Sequence, residues 1–207
     1  MQSTSIRQFG ALFSLAALAV ALGGCALAPW NQVPMTPAPE NLIENSNAED
    51  PSGWHFSSPD AFIHGGSPDP AFGIRNHGFI KQIVDVRGIP GEYAVLMAIT
   101  SSETVGPTGV GRLRGTFLDI EHPQLTIGDM LTIGLVSQSV TPFEWVVIAD
   151  YFLMPTGTGE IEVYLENTFD MATPPDGTIT WFDDVELWIV ETEQEALGLI
   201  ADYRVDH

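Results

Sequence analysis

Apolar and polar residues alternate strictly from Glu160 to Glu166. Ile161, Val163 and Leu165 therefore share one face of an extended segment, and the glutamates share the other. A period of two residues is typical of a β-strand that is buried on one side only. Extended patterns of this kind recur along the chain and predict further strands at 79–86, 93–100, 112–120, 130–136, 143–153 and 178–189.

Turn signals rich in glycine, proline and aspartate separate these strands, and no long helical period occurs between Asn41 and Val190. Many short strands joined by such turns indicate an antiparallel sandwich rather than alternating strands and helices. A helix is predicted only at 191–203, where apolar residues recur at helical spacing. The sequence therefore predicts an all-β body at 41–190, followed by a short C-terminal helix and tail at 191–207.

The start of the chain has the layout of an export signal. Arg7 supplies a positive charge, and the apolar run Phe9–Leu22 follows it. That run is shorter than the about 20 residues needed to span a membrane, and its length suits a signal-peptide core. The sequence Leu22-Gly23-Gly24-Cys25 resembles the lipobox of bacterial lipoproteins. We therefore predict a signal peptide at 1–24 that is cleaved before Cys25.

The lipobox resemblance implies that Cys25 carries diacylglycerol on its thiol and a further acyl chain on its amine. Several acyl chains anchor a protein stably where one would not. Ala26 stands where an aspartate would favour the inner membrane of Gram-negative bacteria, which indicates an outer-membrane lipoprotein of the cell envelope. Four prolines predict an extended tether at 25–40. The alternative is a plain secretory signal with an incidental cysteine.

The charge of the chain excludes some partners. There are 27 acidic and 7 basic residues, and the formal net charge is -20. Nucleic-acid binding depends on basic residues that neutralise phosphates, so we expect no nucleic-acid partner. Anionic lipid headgroups would also repel this surface, so a lipid must provide any membrane attachment. The single cysteine excludes a disulfide within the chain.

Two end motifs carry a more specific resemblance. The opening segment reads Asn41-Leu42-Ile43-Glu44-Asn45-Ser46-Asn47-Ala48-Glu49 and is followed by Gly53-Trp54, and the closing segment reads Thr180-Trp181-Phe182-Asp183-Asp184-Val185-Glu186-Leu187. Together they resemble the jelly-roll carbohydrate-binding modules of the galactose-binding-like class. The resemblance implies an antiparallel jelly-roll β-sandwich. Ser46 and Ala48 depart from the family pattern, which has a glycine and an aromatic residue there.

The same resemblance implies a structural calcium ion, held by Glu49 and either Asp183 or Asp184. Alternation along the closing strand would place Asp183 on an otherwise apolar face. A buried ionised carboxylate costs several kcal/mol unless it is paired or bound to a metal, and calcium prefers oxygen ligands. The alternative is that Asp183 accepts backbone hydrogen bonds at the end of the sandwich.

Outward aromatic residues are the candidates for a ligand site, because ring faces stack on the apolar side of a sugar. Tyr164 is predicted to point outward with the glutamates of its strand, and Phe182 and Trp188 to share the outer face of the closing strand. Alternatively the C-terminal helix covers them, which we favour for Trp188. The other tryptophans singled out, Trp54, Trp145 and Trp181, are expected in the core.

No Gly-x-Ser-x-Gly elbow, phosphate loop or cleft-forming context accompanies the acidic residues, so no enzymatic activity is expected. Two functions remain open. The first is a lipid-anchored, non-catalytic binding module for a carbohydrate or another extracellular polymer. The second is a structural lipoprotein that contacts another envelope protein and binds no sugar.

Overall fold

The computed structural model describes residues 39–65, 70–76, 78–102, 109–134, 144–169 and 179–207. The predicted signal peptide, Cys25 and almost all of the tether lie outside the described residues. The described strands are β1 His55–Phe56, β2 Ala61–His64, β3 Ala71–Arg75, β4 Phe79–Asp85, β5 Tyr93–Ser102, β6 Gly109–Asp119, β7 Leu131–Gly134, β8 Val146–Leu153, β9 Thr158–Phe169 and β10 Ile179–Val190. The helix α1 spans Glu193–Asp206.

The strands form two antiparallel sheets. Sheet 1 has the order β1-β4-β9-β6-β7, and sheet 2 has the order β2-β3-β10-β5-β8. One hydrophobic core lies between them, because its fully buried residues come from both sheets, with Ile161 and Leu165 from β9 and Phe72 and Leu96 from sheet 2. The antiparallel β-sandwich predicted from the sequence is confirmed.

The alternation that predicted β9 is what buries one side of it. Ile161, Val163 and Leu165 are each 0% exposed, whereas the residues between them remain partly exposed. β9 pairs with β4 on one side and with β6 on the other, so it is the central strand of sheet 1. Its outward side chains therefore stand in the middle of that sheet's outer face.

The closing strand β10 is interrupted by a β-bulge. Its pairing with β5 shifts register between Asp183 and Glu186, and Asp184 has a positive φ of 47°. The extra residue reverses the inward and outward faces of the strand at this point. Phe182, Val185 and Leu187 consequently all reach the core. The prediction that Phe182 faces outward, and that Asp183 shares the core face with Val185, was wrong for this reason.

The opening segment lies against the closing strand, as the two end motifs led us to expect. The backbone N–H of Leu42 donates to the carbonyl of Leu187 at 2.8 Å, and the N–H of Val185 donates to the carbonyl of Ser46 at 3.0 Å. The amide oxygen of Asn41 also accepts from the N–H of Leu187. These bonds hold the first described turn beside the bulge of β10.

The helix α1 covers part of the outer face of sheet 2. It begins after a capping box, in which the Thr192 side chain accepts from the backbone of Glu195 and the Glu195 side chain accepts from the backbone of Thr192. Ala196, Ile200 and Tyr203 then pack on apolar residues of β5 and β10. The predicted C-terminal helix is confirmed.

Within the described ranges, no helix has the length and hydropathy needed to cross a membrane.

Candidate functional site

The outer face of sheet 1 carries a row of polar and aromatic residues at one level of all five strands. Strand pairing aligns His55 with Lys81, Lys81 with Tyr164, Tyr164 with Arg114 and Arg114 with Thr132. Neighbouring strands lie about 4.8 Å apart, so this row is about 19 Å long. We call the row, together with Phe79, Arg112, Glu162 and Glu166 beside it, the platform.

Aromatic rings form a connected series across the platform. The ring of Phe79 meets that of Tyr164 edge to face, with centroids 5.5 Å apart, and the ring of His55 lies 6.4 Å from that of Phe79. His55 is exposed, and Phe79 and Tyr164 are partly buried. The platform therefore presents parts of these aromatic side chains to solvent.

Ion pairs surround these rings. Lys81 Nζ lies 2.5 Å from Glu162 Oε1, and Arg112 Nε donates to Glu166 Oε1 at 2.8 Å. Arg114 Nε lies 2.8 Å from the same oxygen of Glu166, although off the line of a hydrogen bond. The platform therefore combines planar donors and carboxylate acceptors with aromatic rings.

The protonation states on the platform follow from these contacts. The hydrogen bond to Glu162 raises the pKa of Lys81 above its ordinary value. Burial, with a further contribution from Glu162, raises the pKa of Tyr164. Lys81 therefore stays charged and Tyr164 keeps its phenolic proton across the ordinary pH range.

The outer face of sheet 2 is different in character. α1 covers apolar residues of β5 and β10, and Trp188 packs against this covered cluster, as we favoured from the sequence. The indole N–H of Trp188 donates to Glu186 at 2.7 Å. Near β2 and β3, Trp181 meets Phe62 edge to face, with centroids 5.8 Å apart.

The three residues predicted to bind a ligand therefore lie in three different parts of the fold. Tyr164 lies on the platform, Phe182 is in the core and 0% exposed, and Trp188 lies beside α1. Trp54 is buried as predicted. Trp145, which is 45% exposed, and Trp181, on the outer face of sheet 2, are not core residues. The bulge explains why Trp181 lies on the outer face. It reverses which residues point inward and which point outward in the first half of β10 relative to the second half.

The residues predicted to bind calcium lie near the bulge or the opening turn. Asp183 is buried, and its carboxylate accepts from the backbone N–H of Asp184 at 2.9 Å, while Glu49 is exposed. Across the described residues, no three histidine, cysteine or acidic side chains converge to hold a metal ion. Loop carbonyls could complete a calcium site, and calcium at Glu49 with Asp183 or Asp184 stays a prediction.

A separate concavity of about 480 Å³ lies between the 86–92 and 153–158 segments. Its lining includes Arg87, Glu92 and Met154 but no aromatic ring. Arg87 is already bonded to the neighbouring Asp85. This concavity lacks the flat apolar surface that a sugar ring requires, so the platform is the better candidate site.

Sequence reasoning found Tyr164 but missed the platform residues around it, including His55, Phe79, Arg112 and Arg114. A local signal was available, because Arg112 and Arg114 alternate with Leu113 in a predicted strand. The local pattern does not determine the strand register. It is this register that places Arg114 beside Tyr164 and Tyr164 beside Lys81.

Comparison with solved structures finds the same fold elsewhere. The enzymatically active domain of bacteriophage CBA120 tailspike protein 4 is similar with a TM-score of 0.54 at 16% identity, over 72% of this chain and 21% of that one. The C-terminal family 22 carbohydrate binding module of Clostridium thermocellum Xyn10B is similar with a TM-score of 0.50 at 17% identity, over 74% and 96% of the two chains. The CBM22-2 xylan-binding domain of Paenibacillus barcinonensis Xyn10C has a TM-score of 0.50 at 14% identity, over 70% and 98%.

The sequence matches no protein-family model and no curated protein. At the identities of the solved structures, the likeness establishes the fold. The chain is a jelly-roll β-sandwich of the kind found in carbohydrate-binding modules.

Proposed function

We propose that this protein is a non-catalytic glycan-binding module and that the platform on sheet 1 is its binding surface. The observation that carries the proposal is the alignment of His55, Lys81, Tyr164 and Arg114 at one level of the sheet, with Phe79 beside them. Rings that contact the apolar side of sugars, flanked by planar hydrogen-bonding groups, are the usual composition of a saccharide site.

Two further features support a binding role. Two similar structures, from Clostridium thermocellum and Paenibacillus barcinonensis, are named as a carbohydrate binding module and a xylan-binding domain. On the platform, Glu162 and Glu166 each form an ion pair with a basic side chain, so both carboxylates already have a partner. The platform therefore suits binding better than bond cleavage.

Replacing Phe79 by alanine tests this site. Phe79 forms the aromatic link between His55 and Tyr164, so its loss should weaken glycan binding by about tenfold, or about 1.4 kcal/mol. The measurement is affinity electrophoresis of the full-length chain in gels that contain xylan, galactan, β-glucan or polygalacturonate.

Phe62→Ala is the matched control, because Phe62 is also a partly buried phenylalanine but lies on the outer face of sheet 2. It should leave retardation in the gels unchanged. If no glycan retards the wild-type chain, or if both variants lose binding equally, the platform is not a glycan site. Capture of an envelope protein by a chain that binds no sugar would then favour the structural lipoprotein.

The proposal includes a lipid anchor at Cys25, in the outer membrane of a bacterial cell envelope. It is supported by the run from Arg7 to Cys25, which has the charge, length and small residues of a lipoprotein signal. Cys25→Ser should move the protein from the membrane fraction to the soluble fraction, because no acyl chain can then be attached. The measurement is fractionation of cells followed by immunoblotting, and a variant that stays in the membrane fraction would exclude the lipid anchor.

A further inference from the structure

The platform concentrates positive charge on a chain that is otherwise acidic. Lys81, Arg112 and Arg114 are three of the seven basic residues of the protein, whose net charge is -20. They pair with the carboxylates of Glu162 and Glu166. At Glu166 two guanidinium groups share one carboxylate, so one positive charge is not neutralised there. Glu160, the other glutamate on this face of β9, lies six positions along the strand from Glu166.

The cations are also the outer members of these pairs. The side chains of Lys81, Arg112 and Arg114 are 26%, 34% and 20% exposed, whereas those of Glu162 and Glu166 are 14% and 15% exposed. The basic side chains of these pairs are therefore more accessible to a ligand than the acidic side chains.

Tyr164 holds two of these cations in place. The guanidinium carbon of Arg114 lies 3.9 Å from the centroid of the Tyr164 ring, and Lys81 Nζ lies 5.5 Å from it. Arg114 and Lys81 belong to the strands on either side of β9. The ring therefore serves as a support for charged groups, and the part of it that Arg114 covers is closed to a sugar.

The two arginines keep donors available. Each guanidinium has five N–H bonds. In the described part of the chain, Arg112 donates through Nε to Glu166, and Arg114 donates through Nη1 to the weakly accepting sulfur of Met130. The remaining terminal N–H groups can form the planar, two-pronged bonds that a guanidinium makes with a carboxylate or a sulfate.

From these observations we infer the ligand class: the platform takes an acidic glycan, whose carboxylate or sulfate groups bond to Arg112 and Arg114. The inference rests on the proposed glycan-binding function. The acidity of the rest of the chain opposes the approach of such a polymer over long distances. Screening over about 8 Å at physiological ionic strength leaves the local charges to decide the contact.

The test compares two forms of one polymer. Polygalacturonate and its fully methyl-esterified form share a backbone, and only the first carries charge. By titration calorimetry at physiological ionic strength, the full-length chain should bind polygalacturonate about tenfold more tightly, because a hydrogen bond to a charged group contributes about 1.4 kcal/mol or more. Dextran sulfate and dextran repeat the comparison for sulfate, and a preference in either pair supports the inference.

Arg112→Gln should remove most of the preference, because it should lower the affinity for polygalacturonate much more than the affinity for the esterified polymer. Arg204→Gln, which makes the same charge change on an exposed residue of α1, should retain the preference. Equal binding of charged and neutral polymers would overturn the acidic ligand class and leave the proposed function intact. If neither these polymers nor the neutral xylan and galactan bind, both the ligand class and the proposed function fail.

Discussion

Replacing Phe182 by alanine is expected to lower the free energy of unfolding by about 3–5 kcal/mol. The Phe182 side chain is 0% exposed and lies in the core between the two sheets. Its ring packs against the backbone of Gly111, where an added Cβ would lie 3.1 Å from the tip of the ring. Because Gly111 has no side chain to move into the vacated space, the cavity should persist and the loss should fall in the upper part of that range.

Phe62→Ala again provides the matched control, since it removes the same atoms from the outer face of the same sheet. Phe62 is partly exposed, so its loss should cost less than half as much. Denaturant unfolding followed by tryptophan fluorescence gives both values, provided that the slope m is unchanged. Similar losses for the two variants would mean that Phe182 is not a core residue, and the position of the bulge would then be wrong.

The orientation of Phe182 could not be predicted from the sequence. A strict period of two along 178–189 places Phe182 and Trp188 on one face and Trp181 and Asp183 on the other. The bulge at Asp183–Glu186 adds one residue to β10 and reverses that assignment for the first half of the strand. Asp184 adopts a left-handed conformation there, which is uncommon for a residue other than glycine. The sequence Asp183-Asp184 alone does not predict a bulge at this point.

Strands with clear alternation or long apolar runs were predicted correctly. β4, β5, β6, β8, β9 and β10 lie within or close to their predicted ranges. β1, β2 and β3 were not predicted, because they are short and lie in a segment rich in glycine, proline and serine. β3 is buried on both sides, as in Phe72, Gly73 and Ile74, so it shows no alternation to recognise.

The platform could be predicted only in part for a related reason. The outward direction of Tyr164 follows from residues within four positions of it in the sequence. Its neighbours Lys81 and Arg114 come from strands far away in the sequence, and their position depends on strand order and register. Local periodicity determines which way a side chain points, but long-range pairing determines which side chains meet.

The second large effect is expected on the opposite sheet. Ile200 is 5% exposed and packs with Ala196 and Tyr203 on Val95 and Met97 of sheet 2. Ile200→Asp would remove a buried apolar side chain and place an ionised carboxylate on that surface, on a chain already rich in negative charge. The expected loss of stability is about 4 kcal/mol or more, because the apolar burial of isoleucine is lost and the carboxylate is removed from water. The variant should also bind a hydrophobic dye, since α1 then releases the apolar face of β5.

Leu197→Asp separates this effect from helix propensity. Leu197 lies in the same helix, one turn before Ile200, and is 51% exposed. The same aspartate there changes charge and propensity in a similar way but leaves the contact with sheet 2, so the loss should be about 1 kcal/mol or less. Thermal unfolding and dye fluorescence of the two variants give the comparison.

Because Tyr203 also bonds to the carbonyl of Asp184 beside the bulge, release of α1 by Ile200→Asp should loosen the closing strand as well. If the two variants lost equal stability, or if neither bound dye, α1 would not be the cover of sheet 2.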